Sequence, residues 1–280
     1  MSVELPEAQI LAEQMNKEIR GKQIKSYRLR DYERLQKIGF LNKDLKSFDQ
    51  LLNGKIELVK SRGNVILVML DNGMNLLLGP EYGGIILYHI GEDTVPENPH
   101  LRVNFTDNTS LTVRLTGMGC IYALKDDELE QNYLYRRDFS DIISPVDDKE
   151  FTFERFSKLL ANNNKVLKSV LVGKNAVVVG LSNSSYQDII YRAGLHPKRK
   201  ASELSEEEKL ALYNATKLVL EERIRGGGKD QFIDLYGKQG GYTPAMGSNM
   251  KQHACKVCGT PIEKLSIGGG DTYFCPKCQK

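Results

Sequence analysis

Four cysteines near the end of the chain constrain its fold more than any other feature. They form two Cys-x-x-Cys pairs, Cys255 with Cys258 and Cys275 with Cys278, and 16 residues separate the pairs. Each pair turns two thiolates towards one centre, and Zn²⁺ takes four such ligands in a tetrahedron at about 2.3 Å. The spacing therefore predicts one structural Zn²⁺ with no open coordination position. Two disulfides or a redox dithiol are the alternative.

The surrounding sequence favours the metal. The fifth cysteine, Cys120, stands alone and no secretory signal precedes the chain, so the thiols are expected in a reducing compartment. Gly259, Pro261 and the triple glycine at 268–270 supply turns, and residues 272–274 have the pattern of a returning strand in a two-stranded ribbon. A module this small cannot fold by burial alone, so metal binding supplies its folding free energy.

Charge is divided unevenly along the chain. Residues 1–148 carry 18 Lys and Arg against 23 Asp and Glu, a net charge of −5, whereas residues 149–280 carry 21 against 13, a net charge of +8. A positive half of this kind is typical of proteins that bind a polyanion such as nucleic acid. No apolar run approaches the ~18 residues of a membrane span, so no membrane partner is predicted.

The order of strand and helix patterns predicts an α+β multidomain chain. Pro6 and Glu7 mark the start of an N-terminal helix. Short apolar or alternating runs joined by turns at 71–73 and 106–108 then favour an antiparallel β-sandwich. The predicted strands are residues 55–59, 65–70, 74–78, 85–89, 101–105 and 111–115.

The second half of the chain has helical patterns. Residues 126–148 are charged and rich in turns and are interpreted as a linker, and Cys120 before them as a small core residue in a glycine-rich bend. The last helix opens on a capping box, Ser205 with Glu208. The predicted helices are residues 151–162, 166–171, 184–193 and 206–225.

Several motifs in this order resemble the formamidopyrimidine-DNA glycosylase and endonuclease VIII family of DNA repair enzymes. They are the loop at 178–183 that ends in Asn183, the turn segments at 193–197 and 201–205, and both cysteine pairs with their neighbours. The resemblance covers nearly the whole chain. It implies an N-terminal antiparallel β-sandwich with flanking helices at 1–135, a helix–two-turn–helix domain at 136–228, and a loop with a four-cysteine zinc finger at 229–280.

The resemblance also implies a chemistry. Family members bind double-stranded DNA, extrude a damaged base into a pocket and attack the sugar with the N-terminal amine, which gives glycosylase and abasic-site lyase activity. An α-amine suits this attack because its pKa of about 8 leaves a neutral fraction at physiological pH. The amine would belong to Ser2, or to Val3 after further processing, and Glu4 would shuttle protons. The pattern alone allows Glu4 to be merely the acid that leads into the helix.

The expected DNA contacts follow from the same resemblance. Asn183 would bind a phosphate next to the extruded nucleotide. Lys198, in a basic run that otherwise reads as solvated surface, and Lys251, ahead of the first cysteine, would add cations. Tyr82 would enter the duplex as a wedge, while Glu81 beside it would face phosphates.

Three departures from the family pattern leave a second interpretation open. Val3 stands where the family has its nucleophile, Asn64 where it has a lysine, and Gly270 where the finger has an arginine. Lys60 and Arg62 would replace the lysine. The alternative is a relative that binds damaged or distorted DNA without cleaving it, and a nucleic-acid adaptor is a third possibility. The chain is expected to be a cytoplasmic monomer, associated with the nucleoid in a bacterium.

Overall fold

The protein is described from a computed structural model that covers residues 3–92, 94–139 and 142–280. Its contacts divide the chain into two units. Unit 1 is Met1–Ser140 with a returning segment, Asp230–Gly241, and unit 2 is Asp141–Lys229 with Tyr242–Lys280. The predicted domain boundaries after residues 135 and 228 stay predictions. No helix in the described ranges is long and apolar enough to cross a bilayer.

The described part of unit 1 contains eight strands and four α-helices. The strands are β1 Ile24–Leu29, β2 Ile56–Arg62, β3 Val65–Leu70, β4 Met74–Gly79, β5 Ile85–Ile90, β6 Leu101–Phe105, β7 Thr109–Arg114 and β8 Cys120–Lys125. The helices are α1 Leu5–Ile19, α2 Tyr32–Lys37, α3 Lys46–Asp49 and α4 Tyr133–Phe139. Two antiparallel sheets, ordered β1-β6-β7-β5 and β2-β3-β4-β8, share one apolar core with α1. The predicted β-sandwich is confirmed.

Strand β3 is buried on both faces, which explains its unbroken apolar sequence. Val68 faces the core shared with the other sheet, whereas Leu67 packs against Leu129 in a second apolar cluster. Leu129 belongs to a 3-10 helix, Asp126–Gln131, that precedes α4. The predicted linker at 126–148 is therefore wrong in its first half, because this stretch folds over the outer face of the sheet.

The sequence does not predict β1 or β8. Strand β1 lies at a sheet edge and only Ile24 within it is fully buried, so its sequence lacks a clear alternation of polar and apolar residues. Strand β8 begins at Cys120, which pairs with Gly79 of β4. Cys120 is a core residue as predicted, but it lies in a strand and not in a bend.

The segment Asp230–Gly241 completes the core of unit 1. Phe232 and Leu235 are fully buried in that core. The Leu235 carbonyl accepts a hydrogen bond from the Tyr88 amide of β5 at 3.0 Å, and the Leu235 amide donates to the Gln14 side chain of α1 at 3.0 Å. Unit 1 thus depends on residues that follow most of unit 2 along the chain.

The described part of unit 2 joins four helices to a two-stranded ribbon. The elements are α5 Phe153–Ala161, α6 Leu167–Leu171, α7 Asn183–Arg192, α8 Glu206–Arg225, β9 Glu263–Ile267 and β10 Gly270–Phe274. The capping box of α8 is confirmed: Ser205 Oγ accepts from the Glu208 amide at 3.3 Å, and the Glu208 carboxylate accepts from the Ser205 amide at 2.9 Å. The predicted returning strand at 272–274 lies within β10.

Candidate nucleic-acid interface and zinc centre

The four predicted zinc ligands converge on one point. Their Sγ atoms all lie within 4.8 Å of one another. The Cys255–Cys278 and Cys258–Cys275 Sγ distances are 3.8 and 3.5 Å. Four sulfurs at about 2.3 Å from a tetrahedral Zn²⁺ stand about 3.8 Å apart, whereas a disulfide requires about 2.05 Å. The cluster is a structural zinc site, and the disulfide alternative is wrong.

Asn183 is the first residue of α7, at the side of the ribbon. Ser182 caps the helix, and its Oγ accepts a hydrogen bond from the Ser184 amide at 3.5 Å. Asn183 Nδ2 donates to the Asp271 carbonyl of β10 at 2.8 Å, while its Oδ1 is buried without a hydrogen-bond partner among the described residues. The N-terminus of a helix attracts anions through its free N–H groups and its dipole, so this position suits a phosphate.

A buried lysine lies beside Asn183. Lys168 of α6 donates from Nζ to the Ile267 and Gly270 carbonyls at 2.7 and 3.0 Å and to Thr272 Oγ1 at 3.2 Å. Burial lowers the pKa of Lys168. Lys168 of α6 therefore places a cation at the ribbon turn, where its Nζ lies 3.6 Å from the position that a Cβ on Gly270 would take. Nothing in the sequence singles out Lys168, because one lysine in a five-residue apolar helix forms no pattern.

The predicted catalytic residues Val3 and Glu4 lie at the start of α1 and both are fully buried. Ser2 lies outside the described residues. The Val3 amide donates to the Glu81 carbonyl at 3.0 Å. Glu4 is the N-cap residue of α1, and its amide donates to the Glu7 carboxylate at 3.1 Å. Glu4 therefore begins the helix and is also the neighbour of Val3 in the chain. Both arrangements fit its position, so its catalytic role stays a prediction.

Glu81 does not face outward, contrary to the expectation from the sequence. Its carboxylate accepts hydrogen bonds from Arg137 at 2.7 Å and from Asn64 Nδ2 at 3.3 Å. Arg137 also pairs with the buried Asp138 at 2.6 Å. Burial opposes the charged guanidinium, but the two carboxylates outweigh this effect and raise the pKa of Arg137. The Glu81 carboxylate is thus paired with a cation inside the unit and is not directed at solvent, contrary to its predicted orientation towards phosphates.

Lys60 and Arg62 lie on one side of β2, because residues two apart in a strand point the same way. Lys60 is exposed, with Nζ 5.6 Å from the centre of the Phe139 ring. Arg62 is half-buried at the end of the strand. The cation that donates to the Asn64 side chain is Arg137. The sequence does not identify Arg137 as a partner, because this residue lies in the stretch that is predicted to be a linker.

Two loops of unit 1 form a common tip. Tyr82, between β4 and β5, is 59% exposed, and Met118, between β7 and β8, is 61% exposed. The Tyr82 amide donates to the Met118 carbonyl at 2.8 Å, and Thr116 Oγ1 donates to the Gly83 carbonyl at 2.7 Å. Gly83 has φ +71°, and a Cβ there would stand 2.1 Å from Thr116 Oγ1. The sequence misses Met118, since a lone methionine between glycines has no periodic context.

Lys198 and Lys251 are both exposed. The two basic neighbours of Lys198 are engaged, because Arg199 and Lys200 pair with nearby glutamates at 2.7 and 3.2 Å. Within the described ranges, Lys198 is the one member of its run that lacks a carboxylate partner. Both lysines are therefore available to an anionic ligand, as their predicted role requires.

Sequence comparisons match the chain along nearly its whole length. Models of three domains match: the formamidopyrimidine-DNA glycosylase N-terminal domain at residues 3–117, the H2TH domain of that protein at 143–233, and the zinc finger found in FPG and IleRS at 253–280. The Bacillus subtilis formamidopyrimidine-DNA glycosylase is 30% identical over 284 residues, which cover 99% of this chain and 98% of the relative. A Bacillus cereus formamidopyrimidine-DNA glycosylase is 30% identical over 241 residues, or 84% of this chain and 85% of the relative.

Solved structures show the same fold. The Lactococcus lactis Fpg in complex with DNA that contains N7-benzyl-Fapy-dG matches with a TM-score of 0.84 and 22% identity, over 99% of both chains. The same Lactococcus lactis protein in complex with DNA that contains an abasic site matches with a TM-score of 0.85 and 21% identity, again over 99% of both chains.

Proposed function

Because this chain belongs to the formamidopyrimidine-DNA glycosylase family, we propose that it is a base-excision repair enzyme that removes a damaged base from duplex DNA. The second step of the proposed reaction is strand cleavage at the resulting abasic site. The observation that carries the proposal is the match to the family along nearly the whole chain. The matched region begins at Val3, so it includes Glu4, and it extends through the zinc finger.

The proposed grip on DNA is assigned to unit 2. The N-terminus of α7 and the Asn183 carboxamide would bind a phosphate, with Lys198 and Lys251 as further exposed cations. The net charge of +8 on residues 149–280 would supply the attraction that does not depend on sequence. Such binding should weaken steeply as the salt concentration rises.

The proposed chemistry is assigned to the first residues of α1. A free amine on Val3 would attack C1′ of the sugar, expel the base and form a Schiff base, and elimination would then break the strand. Glu4 would accept and return the protons of these steps. An amine on Ser2 would lie up to about 3.5 Å further along the chain, and a misplacement of about 1 Å already slows such reactions. We therefore favour Val3 as the reacting residue.

The loop tip formed by Tyr82 and Met118 is the proposed wedge. Apolar side chains that enter a base step help to kink the duplex and stabilise an extruded nucleotide. We expect Tyr82→Ala to weaken binding to an abasic-site duplex by about 1–3 kcal/mol, the usual loss when a stacked aromatic is removed, and Met118→Ala to weaken it less.

Ile90→Ala serves as the control for the wedge, because Ile90 is 79% exposed but lies at the end of β5, outside the tip. Its affinity should equal that of the unchanged protein in a fluorescence anisotropy titration. Equal losses in all three variants would show that the tip has no special role.

The deciding test is borohydride trapping on a duplex that carries one abasic site. Borohydride reduces a Schiff base to a stable amine, so the proposal predicts a covalent protein–DNA adduct. Mass spectrometry should map the adduct to Val3 or, if processing stops earlier, to Ser2. A protein that binds no DNA of any form would refute the proposal.

A second candidate function is binding of damaged DNA without cleavage. The neutral Asn64 and the side-chain-free Gly270 favour it, since the family resemblance places a lysine and an arginine there. Binding to the duplex with neither an adduct nor a nick would support this candidate. For either function we propose a monomer that works in the cytoplasm, on the nucleoid if the source is a bacterium.

A further inference from the structure

Helix α7 presents one face to the zinc ribbon along its length. Asn183, Gln187 and Tyr191 are spaced four residues apart, so they lie on the same side of a helix with about 3.6 residues per turn. Each of them contacts the zinc module: Asn183 Nδ2 donates to the Asp271 carbonyl at 2.8 Å, Gln187 Oε1 accepts from the Tyr273 amide at 2.7 Å, and Tyr191 Oη lies 3.3 Å from Cys255 Sγ.

Gln187 differs from the other two because both ends of its carboxamide are engaged. While Oε1 accepts from the Tyr273 main-chain amide, Nε2 donates to the main-chain carbonyl of Asn183 at 3.0 Å. The side chain is only 4% exposed, so water cannot replace either partner if the carboxamide is removed. One side chain therefore ties strand β10 to the first residue of α7.

We propose that Gln187 is a positioning residue for DNA binding, which holds Asn183 and the ribbon turn in one fixed arrangement ready for a phosphate. Gln187 carries no charge and need not touch DNA. Without it, strand β10, whose Asp271 carbonyl holds the Asn183 carboxamide, would lose its tie through Tyr273 to α7. The carboxamide and the strand would then be fully ordered only on binding, and that ordering reduces affinity. This inference rests on the proposed function, because it takes Asn183 to be a DNA contact.

A second glutamine provides a matched control. Gln279 Oε1 accepts from the Cys275 amide at 2.8 Å, and its Nε2 donates to the Leu195 carbonyl at 2.8 Å. It is 1% exposed and also ties the zinc module to the helical part of unit 2. It does so without contacting Asn183, so it reports the effect of loosening the module in general.

The experiment compares Gln187→Met, Gln279→Met, Asn183→Ala and the double variant Gln187→Met/Asn183→Ala in the full-length, zinc-loaded protein. Binding is measured by anisotropy on a duplex with a stable abasic-site analogue, at one salt concentration, and the zinc content of each variant is determined. We expect Asn183→Ala and Gln187→Met each to weaken binding by about tenfold and Gln279→Met by less than about twofold. The double variant should bind no more weakly than Asn183→Ala alone.

Three results would overturn the inference: unchanged binding by Gln187→Met, additive losses in the double variant, or an equal loss in Gln279→Met. If Asn183→Ala itself binds normally, the proposed phosphate contact is wrong and the inference falls with it. If Gln187→Met loses zinc, Gln187→Glu replaces it and Gln279→Glu becomes its control for the added negative charge. The carboxylate of Gln187→Glu keeps an acceptor for Tyr273 and removes the donor to Asn183. That variant should retain zinc and still bind more weakly, and normal affinity would refute the positioning role.

Discussion

Removal of the zinc ion is expected to unfold the ribbon of residues 253–280 and to weaken binding to abasic-site DNA by at least about a hundredfold, or about 2.7 kcal/mol. Strand β9 has no buried residue, and β10 buries only its last three, residues 272–274. So little burial cannot hold the ribbon alone, whereas structural zinc supplies about 10–16 kcal/mol in comparable peptides. The loss extends to the helical part of unit 2, because Asn183 is bonded to Asp271 of the ribbon. Chelator-treated protein tested by gel shift, before and after zinc is restored, measures this effect.

The five cysteines offer a matched pair for the zinc experiment. Cys258→Ser removes one ligand and should reproduce the effect of the chelator, whereas Cys120→Ala leaves the metal cluster intact. Because Cys120 is buried in unit 1, its variant should lose some thermal stability but keep one zinc per chain and normal binding. Unchanged affinity in the metal-free protein would contradict the proposed role of the finger.

Replacing Glu4 with glutamine is expected to slow strand cleavage at an abasic site by about 10²–10⁴-fold, the usual contribution of a positioned acid–base group. Glutamine has almost the same shape as glutamate, so the buried start of α1 should persist. Binding to the duplex should therefore change little. Single-turnover cleavage of an end-labelled abasic duplex measures the rate constant.

Glu13→Gln is the appropriate control for Glu4, because it makes the same change at an exposed position on the same helix. It should cleave at the rate of the unchanged protein. If Glu4→Gln also cleaves normally, Glu4 acts only as the residue that leads into α1, and a different group must carry the protons.

The sequence predicts those parts of the fold that have a regular pattern of apolar residues or that carry special residue types, such as metal-binding cysteines and helix-capping residues. The zinc ligands follow from spacing alone. Helix α8 is predicted to the residue because the capping box at Ser205 marks its start and Gly226 follows its last residue, Arg225. The central strands can be predicted from the sequence because a strand that is buried on both faces has a continuous run of apolar residues. Only the resemblance to a family identifies Asn183 and Tyr82, because neither residue belongs to a sequence pattern of its own.

The missed features depend on contacts between distant residues. Arg137 meets Glu81 and Asn64 only after α4 has folded against the sheet. Lys168 reaches carbonyl groups about a hundred positions further along the chain. A single sequence shows the residue type at such positions but not its partner, so the direction of Glu81 was predicted wrongly.

The path of the chain through the two units bears on how the protein is made. Phe232 and Leu235 of the returning segment are fully buried in the core of unit 1, yet a ribosome reaches them only after it has made helices α5 to α8 of unit 2. The core of the sandwich is incomplete while the nascent chain ends before this segment. Unit 1 is therefore synthesised first, but its core is completed only after the helices of unit 2 have been made. A chain that ended after α8 would lack this part of the core of unit 1.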